Sequence, residues 1–258
     1  MSATFLMFHE LERPNGALAD QSPGYVRYVV DAARFARWLC WVSAAGRSGV
    51  SVGEWRREPD RAGTVVFTFD DGCESDWTIA APLLREAGFG ATFYVVTRWI
   101  GRRRGFMTPA QLRSLHEAGF EIGSHSATHA FLSDLEPRAL REEIAGSKRE
   151  LEDLLGAPVR HLSCPGGRWH RRVSEVAREA SYETVSTSAI GRNGAGADAL
   201  ALARCAVMRD TSDGAFRDLC LGTGLARLRA RQQLLDGAKR LLGTRLYTGL
   251  RRRALKST

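Results

Sequence analysis

The sequence predicts an α/β protein: an irregular (β/α) barrel of about seven strands, followed by a basic helical tail. Three observations predict it. Short runs of β-branched and aromatic residues, such as Val65-Val66-Phe67-Thr68-Phe69, alternate with longer segments of helical periodicity. The interval of that alternation calls for parallel strands joined by right-handed crossovers. The charge balance also breaks near Gly222-Thr223-Gly224. From Leu225 to Thr258, ten basic residues face one acid, Asp236, for a net +9, while residues 1–224 carry −1 of the chain's total of +8. The expected organisation is therefore a barrel over residues 1–224 and a basic amphipathic tail over 225–258.

The elements follow in order. Leu6-Met7-Phe8-His9 ends a first strand, and a loop with Pro14, Asn15, Gly16, Pro23 and Gly24 follows it. Asp31 to Ala45 has helical spacing, with Phe35, Trp38, Leu39 and Val42 on one face. Gly49 to Val52 reads as a short strand, and residues 56–63 as a polar connection. Val65 to Phe69 is a buried strand. Asp76 to Ala87 is a helix stopped by Gly88. Ala91 to Val96 is a strand. Thr108 caps a helix with Pro109 in its first turn and Gly119 at its end. Phe120 to Gly123 is a strand, and Glu136 to Leu155 a charged amphipathic helix. His161 to Ser163, a helix from Arg171 to Ala180, a strand from Glu183 to Ser186, a glycine-rich loop over 191–196 and a last strand from Arg204 to Met208 complete the barrel.

Composition narrows the class. At 258 residues with 44% hydrophobic and 26% charged side chains, the chain can bury one large core and reads as globular. Five cysteines, Cys40, Cys73, Cys164, Cys205 and Cys220, show no paired spacing, which argues against a disulfide framework and suits a reducing compartment. The N-terminus lacks a basic segment before its short apolar run, and no stretch reaches the ~20 apolar residues of a membrane span. The expected location is cytoplasmic.

Three short motifs carry chemistry, and each follows a strand: Asp70-Asp71-Gly72, His125-Ser126-Ala127-Thr128-His129, and Ser163-Cys164-Pro165-Gly166-Gly167. Strand ends at one face of a barrel converge, so these groups and His9 can meet at one mouth. Two imidazoles and a carboxylate make a facial metal set with open positions. Adjacent strand residues point to opposite faces, so the strand must end at or near Asp70 for both carboxylates to serve one site.

In this order the motifs resemble the first three of the polysaccharide deacetylase family, the NodB-homology domain of carbohydrate esterase family 4, over roughly Thr4 to Met208. Leu6-Met7-Phe8-His9, Phe35-x-x-Trp38-Leu39 and Val50-Ser51-Val52 look like the front of its biosynthetic members. The resemblance implies a NodB-like barrel, Asp71, His125 and His129 as metal ligands and Asp70 as general base. Zinc is the default ion for such donors, with cobalt, nickel or iron as alternatives.

Two departures stand out. The family pattern at the third motif is Arg-x-Pro-aromatic-Gly, but here Ser163 replaces the arginine and Gly166 the aromatic residue. The Gly166 amide is left to meet a developing oxyanion. Arg168 or Arg204 is left to supply the lost charge, and Trp169 to stack on a sugar. Glu10 and Trp99 are further candidates for the mouth. Cys164 reads as a small buried hydrophobe, because no base is evident for it. The family's final Leu-x-His, which provides a general acid, is absent, and no histidine follows His170. His9 is the expected substitute, ahead of His161 and His170.

Two classes of function remain open. One is a metal-dependent hydrolase that removes acetyl from an N-acetylated amino sugar in a glycan or glycoconjugate precursor, with a lipid or phosphate linkage in view. The other is a catalytically weak barrel that binds a sugar or partner, or an O-acetyl esterase. The tail reads first as a helix packed on the barrel. Its alternative is a basic helix drawn to anionic lipid at the inner membrane surface. Nucleic acid is not expected, since aromatic interleaving and a binding motif are missing.

Overall fold

The computed structural model describes residues 1–12 and 16–230. β1 (Ser2–Phe8) leads through β2 (Leu11–Glu12), a helical turn α1 (Pro23–Val26) and β3 (Val30–Asp31) to α2 (Ala32–Ala44). Next come β4 (Ser48–Val50), α3 (Val52–Arg57), β5 (Thr64–Phe69), α4 (Ala81–Glu86), β6 (Thr92–Val95), α5 (Pro109–Glu117) and β7 (Glu121–Ser124). The chain continues with α6 (Pro137–Arg141), α7 (Ser147–Leu155), β8 (His161–Ser163), α8 (Arg171–Glu179), β9 (Thr184–Ser186), β10 (Asn193–Gly194), β11 (Cys205–Ala206) and α9 (Asp213–Leu221).

The sheet runs β10-β1-β5-β6-β7-β8-β9, with β4 beside β5 and β11 beside β1. Every pairing in it is parallel except that of β10 with β1. This is the expected α/β barrel, a curled parallel half-barrel with seven strands on its main path. One segment spans the gap between its edges. Leu202 bridges Ser186 of β9, and three residues later Cys205 pairs with Leu6 of β1.

Alternation along the strands sorts the core. On β5, Val65, Phe67 and Phe69 face the helices, while Val66 belongs to a separate cluster with Phe5, Tyr94 and Leu202. The outer layer is dense in aromatic rings. Phe8 lies 5.2 Å from Phe35 edge-on and 5.3 Å from Phe69 in a stack. Each such ring contributes roughly 1.5–3 kcal/mol by leaving water, which makes β1, β5 and α2 a firm base for the strand ends. Gly123 has a packing reason: a Cβ there would sit 2.5 Å from the Tyr94 ring and 2.9 Å from the His161 carbonyl oxygen.

Helix starts follow local chemistry. Ser51 and Glu54 form a capping box on α3, and Thr108 and Gln111 form another on α5 with Pro109 at its start. Several expected boundaries shift. Val52 opens a helix instead of closing a strand, because Ser51 caps it. The helix expected over 136–155 is interrupted by a wide turn at Glu142–Gly146, and that expected from Asp76 begins with another at Asp76–Ala80. The loop after β1 holds α1 and a small parallel β2–β3 pair, and the glycine-rich loop holds β10.

Of the tail, residues 225–230 are helical. Leu225 and Leu228 pack on the core, and Arg229 Nε donates to the Ile190 carbonyl at 2.8 Å. The membrane contact expected of the tail falls mainly on residues 231–258, which lie outside the described residues.

Candidate active site

β5 ends where the chemistry requires. The Asp70 N–H still donates to the Phe8 carbonyl at 2.9 Å, as one more rung of the ladder. Asp71 then adopts a φ of 82°, a left-handed conformation that asparagine and aspartate tolerate better than most residues. That turn breaks the alternation, and both carboxylates come to one site. Asp71 Oδ1 lies 3.5 Å from His125 Nε2 and 3.3 Å from His129 Nε2, and Asp70 Oδ2 lies 3.9 Å from His125 Nε2.

The two histidines are aimed by their loop. The His125 N–H donates to the Val95 carbonyl at 2.9 Å, and Ser126 and His129 both have φ 66°. Glu143 fastens the turn between them. Its carboxylate accepts from the Ala127 and Thr128 amides, each at 2.9 Å, and from the Thr128 hydroxyl at 2.7 Å. His125 Nδ1 is 2.9 Å from the Ser163 carbonyl oxygen, which can only accept, so Nδ1 carries the proton and Nε2 offers its lone pair. Burial pushes His125 down to about 4, which keeps that lone pair available.

Asp71, His125 and His129 each present one donor atom, all within 4.8 Å of one another. Asp71 Oδ1 is buried and accepts no hydrogen bond. Burial alone would raise this carboxyl, but the imidazoles of His129, His9 and His125 hold it well below the usual range. An anionic oxygen without a donor beside a neutral, correctly tautomeric imidazole is what a divalent cation needs. The three residues fit such an ion.

Asp70 is held differently. Arg204, fully buried on the segment that spans the sheet edges, grips it with Nη1 to Oδ1 at 2.7 Å and Nη2 to Oδ2 at 2.8 Å. The other donors of that guanidinium are also used: Nε on the Thr187 carbonyl at 2.9 Å, Nη1 on Thr68 Oγ1 at 3.2 Å and Nη2 on Ser163 Oγ at 2.7 Å. Burial works to raise the Asp70 carboxyl, and the Arg204 charge followed by that of His125 brings it below the ordinary value. Ser163 stands where the related motif has arginine, and its small side chain leaves the space that Arg204 fills.

A cleft of about 420 Å³ opens above these groups, with His9, Tyr28, Trp99, His129, Gly166 and Ser188 among its lining residues. His9 is half-buried, its ring 4.7 Å from that of Tyr28, and its Nδ1 is buried without a partner. The Trp99 ring lies 5.1 Å from that of His129, tilted by 31°. Glu10 turns aside, accepting from the Ala19 amide at 3.1 Å, and does not line the cleft. Arg168 pairs with Asp134 at 2.8 Å instead of approaching Asp70. The Trp169 N–H donates to Ser174 Oγ at 2.8 Å, and the ring is 40% exposed outside the cleft lining. His170 caps α8. Cys164 is fully buried, and burial pushes its thiol up to about 12, which fits an inert packing residue.

His161 sits at the other end of the barrel. There a larger cavity of about 540 Å³ opens at the N-terminal ends of β6 to β9. His161 Nε2 is 3.4 Å from Glu121 Oε1, and Glu121 also accepts from the Gly53 amide at 3.0 Å and from Thr92. Those groups satisfy one another. Two of the buried polar atoms that lack a partner, His9 Nδ1 and Asp71 Oδ1, belong to residues lining the smaller cleft, and none belongs to a residue lining the larger cavity, so size does not mark the site. Sequence reasoning missed Glu143 and named Arg204 only as an alternative. The signal for Glu143 was a single acid in a charged helix, and nothing in the chain pairs it with residue 127.

Residues 57–185 match the family described as polysaccharide deacetylase. The chitooligosaccharide deacetylase of Sinorhizobium fredii is 29% identical over 199 residues, covering 73% of this chain and 90% of that protein. The peptidoglycan-N-acetylglucosamine deacetylase of Bacillus cereus is 29% identical over 128 residues, or 49% of this chain. The chain spans little more than half the length of several curated relatives that it matches, 54%, 57% and 60% for three of them. Its fold is like that of the Streptococcus pyogenes deacetylase PplD in complex with acetate, with a TM-score of 0.75 at 21% identity, covering 85% of this chain and 98% of that one.

Proposed function

The chain belongs to the polysaccharide deacetylase family, and from that premise we propose that it is a metal-dependent hydrolase that removes acetyl from an N-acetylated amino sugar within a glycan or glycoconjugate precursor. The observation that carries this reading is the convergence of three donor atoms from Asp71, His125 and His129 within 4.8 Å, beside a second carboxylate on Asp70. A binding module has little use for both.

In this reading Asp71, His125 and His129 hold one divalent ion, with zinc favoured by the mixed imidazole and carboxylate donors. When bound, the ion polarises the acetyl carbonyl and makes water acidic enough to attack at neutral pH. Asp70 takes the proton of that water as general base. Arg204 keeps the Asp70 carboxylate ionised and fixes its plane through both oxygens. The Gly166 amide faces the oxyanion that develops on the acetyl group. His9 gives the leaving amine its proton. Of His9, His161 and His170, it alone lines the cleft.

The Arg204–Asp70 pair supports this reading despite the missing arginine of the third motif, since a guanidinium reaches Asp70 from the residue before β11. The test is acetate release from a panel of N-acetylated amino-sugar oligomers, with metal analysis of the same sample. Activity that is lost on chelation and restored by one equivalent of ion is the expected result. A protein that binds no divalent ion, or releases no acetate from any of the panel, would overturn the reading.

A further inference from the structure

Position 166 is where the third motif lacks its aromatic residue, yet an aromatic ring is there. A Cβ on Gly166 would lie 2.8 Å from Cε1 of Phe131 and 3.3 Å from its Cδ1. Gly166 also has φ 61°, a conformation that disfavours a side chain. A ring from the loop that carries His129 thus fills the space that a side chain on the third motif would take.

Phe131 is 42% exposed, and its position is fixed. The Arg168 guanidinium carbon sits 3.9 Å from the ring centroid. Arg168 Nη1 donates to Asp134 Oδ2 at 2.8 Å, and the Asp134 amide donates to the Phe131 carbonyl at 3.0 Å. Ring, guanidinium and acid form one closed clamp. An exposed ion pair adds little to stability, so what the clamp supplies is orientation. Among the described residues only four large apolar side chains are exposed: Met1, Phe131, Trp169 and Leu221. Two of them adjoin the Gly166-Gly167 turn, which lines the cleft over the metal set. Phe131 is held by the Arg168 guanidinium against its ring, and Trp169 by its N–H, which also donates to the Leu200 carbonyl at 2.9 Å.

We propose that Phe131, clamped by Arg168, is a sugar-stacking platform at the rim of the cleft. The unit next to the acetylated one lays its apolar C–H face on this ring. The substrate is then an oligosaccharide or longer glycan, not a free amino sugar. Rigid aromatic faces with one wet side are suited to ligands that are apolar on one face and hydroxylated at the edge. The inference rests on the deacetylase reading above, because it takes the acetylated unit to lie over Asp71, His125 and His129.

The test compares the parent, Phe131→Ala and Phe131→Trp on N-acetylglucosamine and on its tetramer. A second readout is calorimetric binding of the tetramer to protein freed of metal by chelation. Phe131→Ala should lose roughly tenfold more kcat/KM on the tetramer than on the monomer, mainly through KM, with Phe131→Trp close to the parent. Equal losses on both substrates, or a parent indifferent to chain length, would overturn the platform. If neither sugar is deacetylated, the deacetylase reading fails by itself and the binding experiment decides this one. Tetramer binding weakened at least fivefold by Phe131→Ala then supports the platform, and unchanged binding, or none by the parent, ends it.

Discussion

Arg204 meets Asp70 inside the barrel as a two-pronged pair, at 2.7 and 2.8 Å, with neither side chain more than 3% exposed. The pair joins residues 134 positions apart in the chain. All five N–H donors of the guanidinium are used, on Asp70, Ser163, Thr68 and the Thr187 carbonyl. A buried charge pair of this quality is worth less than its Coulomb energy suggests, because both ions lose their hydration. Breaking it is costly all the same, since the remaining carboxylate stays buried and unpaired. Arg204→Met should therefore lower stability by about 3–5 kcal/mol, read by urea denaturation, and acetate release by at least ~10²-fold through the displaced base. The double variant Ser163→Arg/Arg204→Ser returns the guanidinium from the strand where the related motif keeps it. It should recover part of both losses. A double variant no better than Arg204→Met would show that the route of the charge matters as much as its presence.

The two aspartates should separate by function. Asp71 Oδ1 has no hydrogen-bond donor, whereas each Asp70 oxygen accepts from Arg204. Asp70→Asn is expected to keep its metal and lose about 10²-fold or more in rate. His125→Ala is expected to lose the metal and activity together. Metal content by atomic spectroscopy beside a rate assay distinguishes them, and an Asp70→Asn protein without metal would make Asp70 a ligand.

Much of this site was legible in the sequence, for a physical reason. Asp70-Asp71-Gly72 and His125 to His129 are local in the chain, so the strand ends that carry them can be read from apolar runs broken by turn residues. The requirement that β5 stop at Asp70 followed from the pleat alone, and the φ of 82° at Asp71 is how the chain meets it. Arg204 was legible only as one of two arginines that could supply the lost charge, and Glu143 and Phe131 were not legible as partners. Arg204 reaches Asp70 from 134 positions away, Glu143 binds main-chain amides 15 and 16 positions back in the chain, and Phe131 packs against a glycine, so none of the three contacts leaves a side-chain pattern to read. What separates Arg204 from Arg168 is that Leu202 and Cys205 bridge β9 and β1, which carries Arg204 into the barrel. The interrupted helices were missed because a wide turn keeps helical periodicity within a residue.

Glu143 offers a test of how far loop order governs metal affinity. Its carboxylate takes three donors from residues 127 and 128, between the two histidines. Glu143→Gln keeps the size but can no longer accept at both oxygens. Outer partners of this kind typically change affinity by about 10–100-fold, so a rise of that order in the metal dissociation constant is expected, with little change in rate at saturating metal. An unchanged constant would mean that the positive-φ residues Ser126 and His129 hold the loop by themselves.

His9 is the proposed proton donor to the leaving amine. It lines the cleft, and its Nδ1 is buried without a partner, so the ring is free to choose a tautomer for substrate. An amine cannot leave unprotonated, while an ester's alkoxide depends on the proton less. His9→Ala should thus lower deacetylation of an N-acetyl sugar sharply, by ~10² or more, and hydrolysis of an acetate ester by much less, with metal content unchanged. Equal losses on the two substrates would point to a packing role against Tyr28.

Asp76 is the least settled charge in the structure, and it makes a prediction about pH. It is fully buried just after the acidic pair, and neither carboxylate oxygen has a hydrogen-bond partner. Burial, then the charges of Asp71 and Glu10, push its carboxyl well above the ordinary value of 3.8. The unfolded chain releases this proton near that ordinary value, while the folded chain keeps it. As pH rises from there, the native state binds more protons than the unfolded one, so ionisation favours unfolding until the folded group titrates in turn. The cost is absent below the unfolded value and grows through neutrality. Asp76→Asn removes the titration and keeps the shape. After chelation, so that no cation beside Asp71 offsets the charge, the variant should gain stability over the parent at pH 8 and lose most of that gain at pH 4.5, by urea denaturation at each pH. A difference independent of pH would mean that Asp76 is ionised in the folded protein and has a partner that only water supplies.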